Sequence, residues 1–138
     1  MGKFTGNWSG EGAFANGRKI AADISFKLAL DSSWLTYEHT DQLPGSYKAF
    51  SMWGVDPQTG QFMAYTFDNF GGRRQFVSGG WKDGKIRLTD SEFYSGAGLI
   101  FEHFIFERLT EKSFKMTYET SNDSFSWSLG DSLVFSRQ

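Results

Sequence analysis

The chain has no cysteine, which removes disulfides, thiolate metal ligation and a cysteine nucleophile together. Proline is scarce at two residues, and histidine is equally scarce, present only as His39 and His103. No H-x-H or H-E-x-x-H spacing occurs, so the sequence offers no metal centre. Charge of neither sign dominates: 14 Lys and Arg stand against 16 Asp and Glu, a net charge of −2. Without a basic stripe a nucleic-acid partner is not expected. No apolar run approaches the length of a membrane-crossing helix. Met1-Gly2-Lys3 leads almost at once into structured sequence, with no signal peptide. The expected location is cytoplasmic as written, or periplasmic or secreted if a leader has been removed.

Aromatic residues and glycine are what the chain has in excess. Phe, Trp and Tyr make up 18%, with 15 Phe, and glycine numbers 16. That balance suits short strands joined by tight turns, not a helical bundle. The residues from Lys19 to Leu30 alternate most clearly. Ile20, Ala22, Ile24, Phe26, Leu28 and Leu30 share one face, and Lys19, Asp23, Ser25 and Lys27 share the other. Turn signals recur about every 10–14 residues. They include Asn16-Gly17, Asp31-Ser32-Ser33, Pro44-Gly45, Asp56-Pro57, Asp68-Asn69 and Asp83-Gly84, and they separate about ten strands. The sixth of these is expected over Arg73–Lys82, with a bulge or bend at Gly79-Gly80. A meander of that many strands hides its edges by closing. The expected fold is therefore all-β: one domain over 1–138, a closed antiparallel up-and-down barrel of about ten strands. More than eight strands leave space between the inward side chains, so a cavity is expected.

Two stretches carry a family resemblance. Gly6-Asn7-Trp8-Ser9-Gly10-Glu11-Gly12 resembles the G-x-W opening of the calycin barrels, which include lipocalins and fatty-acid-binding proteins. Its longer form resembles the nitrobindin-like branch. In calycins a basic residue near the chain end packs over that tryptophan and closes the barrel's base, and Arg137 stands at that place. Gly54-Val55-Asp56-Pro57-Gln58-Thr59-Gly60-Gln61-Phe62, with Asp68-Asn69-Phe70-Gly71-Gly72 and Gly79-Gly80-Trp81, resembles the DUF1579 family, whose usual aromatic is replaced here by Val55. The resemblance implies a lipocalin-like barrel and almost no chemistry. The nitrobindin-like branch ligates haem iron through a histidine near the C-terminus. No histidine follows His103 here, and the last strands carry Phe125, Trp127 and Phe135 instead.

Candidate site residues follow from alternation. His103 shares a face with Phe101 and Ile105. If that face is inward, it is a polar group in an apolar cavity, able to orient a ligand or exchange a proton. His39, near a strand end, reads as a surface residue. Arg73 and Arg74 are adjacent and point to opposite faces, so one of them can face inward and clamp a carboxylate. Arg74 groups with Phe76, and Arg73 with Gln75 and Val77. Trp53, Tyr65, Phe67, Phe101 and Tyr118 sit mid-strand as candidate cavity walls. No G-x-S-x-G or other complete catalytic motif occurs.

The expected function is non-enzymatic binding of a small, largely apolar ligand, fatty-acid or lipid-like, by a monomer or homodimer without a cofactor. The alternatives are an enzyme (hydrolase, isomerase or cyclase) using His103 as acid or base, haem binding, or a structural barrel filled by its own phenylalanines.

Overall fold

A computed structural model describes residues 4–95 and 98–138. Ten strands follow one another: β1 Gly6–Phe14, β2 Lys19–Ala29, β3 Trp34–Asp41, β4 Lys48–Val55 and β5 Phe62–Asp68, then β6 Arg73–Ser78, β7 Lys85–Ser95, β8 Gly98–Thr110, β9 Ser113–Ser121 and β10 Ser128–Arg137. Each pairs antiparallel with its neighbour in sequence, and β10 pairs with β1 to close the barrel. The all-β, closed ten-strand expectation holds. Closure leaves no edge strand unpaired, which is why a meander of short strands is stable as a unit.

The closing seam explains the opening motif. Trp8, Gly10 and Gly12 fall on alternate positions of β1 and share its inward face. They lie opposite Arg137, Phe135 and Leu133 of β10. A Cβ on Gly10 would stand 2.5 Å from the Phe135 ring, and one on Gly12 would stand 1.7 Å from the Ser132 carbonyl oxygen. The two glycines let β10 and a phenylalanine ring approach β1 more closely than any side chain permits. The Arg137 guanidinium lies 4.3 Å from the Trp8 ring centroid and hydrogen-bonds the Thr5 carbonyl. Trp8 Nε1 in turn donates to the Phe4 carbonyl at 2.8 Å.

Turn chemistry fixes the other connections. Asp83 and Gly84 both have positive φ, and Lys82 and Lys85 exchange backbone hydrogen bonds across them, the geometry a two-residue hairpin requires. At Asn16-Gly17 only the glycine has positive φ, so that hairpin uses a wider loop than the dipeptide suggests. β6 ends at Ser78, earlier than Lys82, because Gly80 takes φ +104 and breaks the extended run. The pairing of β9 with β10 shifts register between Leu129 and Asp131, at Gly130. Ser95-Gly96-Ala97-Gly98 reads by composition as a looser connection, and it falls partly outside the described residues.

The interior divides into two levels. Around the seam, Phe4, Trp8, Phe26, Phe114 and Phe135 are buried against one another in a continuous set of ring contacts. Trp53 and Phe106 extend it upward, edge to face at 5.0 Å. Each such ring contributes about 1.5–3 kcal/mol by leaving water, so this level is the packed core. At the other level, beneath the β1–β2, β3–β4 and β5–β6 connections, the packing opens.

Candidate functional site: a cavity with a polar belt

A cavity of about 1120 Å³ occupies that open level. Its floor and lower wall are apolar, formed by Trp53, Phe76, Phe104, Phe106 and Met116 among others, and its mouth is framed by Pro44, Ser46, Phe70 and Arg73 from the connecting loops. The volume slightly exceeds the roughly 300–1,000 Å³ typical of small-molecule sites.

Between floor and mouth runs a belt of polar side chains contributed by successive strands. Arg74 of β6 is its centre. Its Nη2 donates to Asp68 Oδ2 at 2.9 Å, and its Nη1 lies 3.0 Å from Glu102 Oε1. The Tyr118 hydroxyl donates to Glu102 Oε2 at 2.6 Å. Glu102 is 0% exposed, so it depends on these partners for its charge. Burial pushes its pKa above the usual carboxylate value, with Arg74 and the Tyr118 hydrogen bond pulling the other way. Burial also works against the charge on Arg74, but Glu102 and its other anionic neighbours outweigh it and keep the guanidinium more firmly protonated. The Tyr47 hydroxyl is pushed up to about 12, chiefly by burial, and that of Tyr118 rises further for the same reason with Glu102 beside it.

The belt continues on β3. His39 Nδ1 is 2.8 Å from the Tyr37 hydroxyl, and its Nε2 is 2.8 Å from Asp41 Oδ1. Asp131 of β10 completes the ring, lying opposite Tyr118 of β9 in register. Burial raises its carboxyl to about 6, Asp41 adds to the rise, and His39 opposes it. Its Oδ1 is buried and has no hydrogen-bond partner among the described residues.

The placement of the expected residues is mixed. Trp53, Arg74 and Tyr118 face the cavity, and Arg73 stands exposed at its rim. His103 does not. Glu102, Phe104 and Phe106 take the inward positions of β8, so His103, Phe101 and Ile105 point outward. His103 is nevertheless buried, because Trp127 stacks flat on it with ring centroids 3.4 Å apart and Glu119 lies 3.6 Å away. Burial, and then Arg87, lower its pKa. Tyr65 and Phe67 also face outward, 38% and 56% exposed, since Ala64 and Thr66 hold the inward positions of β5. His39, read as a surface residue, is 4% exposed and sits inside. Sequence reasoning missed Glu102, Asp68, Tyr47 and Asp131. The signal for Glu102 is its alternation with Phe104 and Phe106, which are as apolar as Phe101 and Ile105 on the opposite face.

Both ring nitrogens of His39 are committed, one to Tyr37 and one to Asp41. The imidazole therefore has no lone pair turned to the cavity for haem iron, and the donor set does not fit that group. Among the described residues no group of three or more His, Asp and Glu side chains is arranged to hold a metal ion.

The fold and the cavity define a class: a closed ten-strand antiparallel barrel with an internal chamber, compatible with ligand binding. Among solved structures it is similar to the crystal structure of Rv2717c from M. tuberculosis, at 13% sequence identity and a TM-score of 0.65, covering 99% of this chain and 93% of that one. That likeness is one of fold. No family model matches the chain, and no curated protein matches it.

Proposed function

We propose that the protein binds a small, largely apolar molecule in the barrel cavity and performs no chemistry on it. The observation that carries this reading is the cavity itself: about 1120 Å³, apolar below, polar in one belt, and open at the loop end. Apolar walls supply contact area, and a few fixed polar groups set orientation. Trp53 is held in place by its Nε1 bond to Ser51 Oγ at 3.0 Å, and Ser51 is itself bonded to Thr66 at 2.9 Å. The floor is thus rigid before a ligand arrives, which lowers the ordering cost of binding. The calycin resemblance of the Trp8–Arg137 seam supports the same reading.

A fatty-acid carboxylate is a weaker fit than the sequence suggests. The clamp it needs is an inward arginine with charge to spare, and Arg74 is already matched to two carboxylates. The enzyme alternative lacks its acid–base residue, because His103 is on the outer face under Trp127.

The test is titration with the uncharged dye Nile red, followed by displacement with dodecanol. Binding is expected to shift the dye emission to the blue, and dodecanol to reverse the shift. Ala49→Trp, which fills the chamber from β4, is expected to abolish both effects. A dye that stays in water, or one unaffected by Ala49→Trp, would overturn the reading.

A further inference from the structure

We propose that the polar group of the cavity's ligand is a cation with N–H donors, a lipophilic ammonium or amidinium, and that Asp131 receives it. The inference rests on the cavity-binding reading above and adds the sign and chemistry of the head group.

The charge inventory of the belt argues for it. Among the described residues, the carboxylates of Asp41, Asp68, Asp90, Glu102 and Asp131 share this end of the interior with the inward guanidinium of Arg74 and the imidazole of His39. Arg74 is bonded to Asp68 and Glu102 together, so it offers no uncompensated positive charge to an incoming anion. The other two Arg or Lys side chains that line the cavity among the described residues are peripheral. Arg18 lies over the Phe14 ring at 4.6 Å and is exposed, and Arg73 is exposed at the rim. Both are well solvated and attract a ligand only weakly. A carboxylate drawn into the chamber would join these others in a medium of low dielectric, where like charges repel strongly.

Asp131 shows where a cation is wanted. Asp68 has Arg74, Glu102 has Arg74 and Tyr118, and Asp41 has His39. Asp131 lines the same cavity, with Oδ1 buried and lacking a hydrogen-bond partner among the described residues. A buried acceptor without a donor is rare in folded proteins and marks a place for a missing group. A neutral donor would satisfy the oxygen but leave the charge. An ammonium satisfies both, which is the stronger kind of hydrogen bond. The rise of the Asp131 carboxyl to about 6 agrees with a carboxylate short of a counter-charge and still ionised above neutrality. The rings of Tyr37 and Tyr47 line the same level, a surface that tolerates a cation. Below the belt, Trp53, Phe104 and Met116 accept the hydrocarbon part.

The experiment compares three probes that share one twelve-carbon chain: dodecylamine, dodecanol and dodecanoate. Each displaces Nile red from the unmodified protein at pH 7.5, below its aggregation concentration. Dodecylamine is expected to displace the dye at a concentration about tenfold lower than dodecanol, and dodecanoate to be weaker than dodecanol. Asp131→Asn is expected to bring the amine close to the alcohol. Dodecanoate binding as well as the amine, or an amine preference that survives Asp131→Asn intact, would overturn the proposal and leave the cavity reading standing. Failure of the dye and all three probes to bind would overturn the cavity reading and the proposal with it. The ranking on the unmodified protein decides the sign of the head group even if the variant does not fold.

Discussion

Single residues in this barrel are held by partners whose loss has opposite signs. Arg74 neutralises two buried carboxylates. Arg74→Met therefore leaves Glu102 fully buried without its cation, and breaking such a pair from one side costs about 3–5 kcal/mol. Urea denaturation at pH 7.5 is expected to show that loss, and at pH 4.5 to show it shrink as Glu102 takes up a proton. Asp131 is the reverse case. Its folded pKa of about 6 stands above the ordinary aspartate value of 3.8, so the folded state binds more protons than the unfolded state between these values. Stability attributable to this group is greatest below pH 4, declines as pH rises through 6, and stays reduced above it. Asp131→Asn removes that penalty and is expected to stabilise the protein at pH 7.5 by on the order of 1–3 kcal/mol, with no gain at pH 4. A stability difference independent of pH would contradict it. His103→Ala is expected to leave Nile red binding unchanged, because the imidazole is on the outer surface.

At this scale the sequence was only partly legible. Alternation grouped Arg74 with Phe76 and His103 with Phe101 correctly, but grouping does not say which face is inward. On β8 both faces carry large apolar residues, since Trp127 covers the outer one over His103. The inward face was instead the one bearing Glu102, a residue type that is almost never fully buried without a partner. Its partners Arg74 and Tyr118 are 28 and 16 residues away in the chain, so nothing local announced the burial.

Elements were far more readable, because turn residues and period-two alternation are local properties. β2 follows its apolar face from Ile20 to Phe26, and Asp83-Gly84 forms the hairpin its chemistry requires. β6 was overextended past Ser78, because Gly79-Gly80 ends the strand instead of bulging it. The glycines of β1 have a different cause, which only the partner strand reveals. Three substitutions separate the effects. Gly12→Ala meets backbone of β10 at 1.7 Å and cannot be relieved by a rotamer change, so it is expected to open the seam and cost more than about 4 kcal/mol. Gly10→Ala meets a side-chain ring, Phe135, which has to shift, for an expected cost of about 1–3 kcal/mol. Gly17→Ala meets nothing, but its φ of +87 disfavours a side chain, for about 1 kcal/mol. Chemical denaturation of the three variants should rank them in that order. Equal losses at Gly12 and Gly17 would mean that close approach does not govern the seam.

Over the whole molecule, the barrel is solid at the Trp8–Arg137 end and hollow at the end of the β3–β4 and β5–β6 connections, and this asymmetry should govern its motions. Amides within a packed region exchange with solvent only through large openings, whereas amides around a cavity exchange through small local ones. The strand segments carrying Trp8, Phe114 and Phe135 lie among buried rings. The β3–β4 and β5–β6 connections, with Ser46, Phe70 and Gly71, border the cavity instead. Hydrogen exchange is expected to be slowest in the first set and fastest in the second. A ligand that binds the folded barrel and not the unfolded chain stabilises it by about 2.7 kcal/mol at a hundred times its Kd. That gain first suppresses the small openings at the mouth, so dodecanol should slow exchange in both connections before it changes β9 or the Trp8 segment. Uniform slowing across all ten strands would mean that exchange proceeds only by global unfolding, and that the two ends are not energetically distinct.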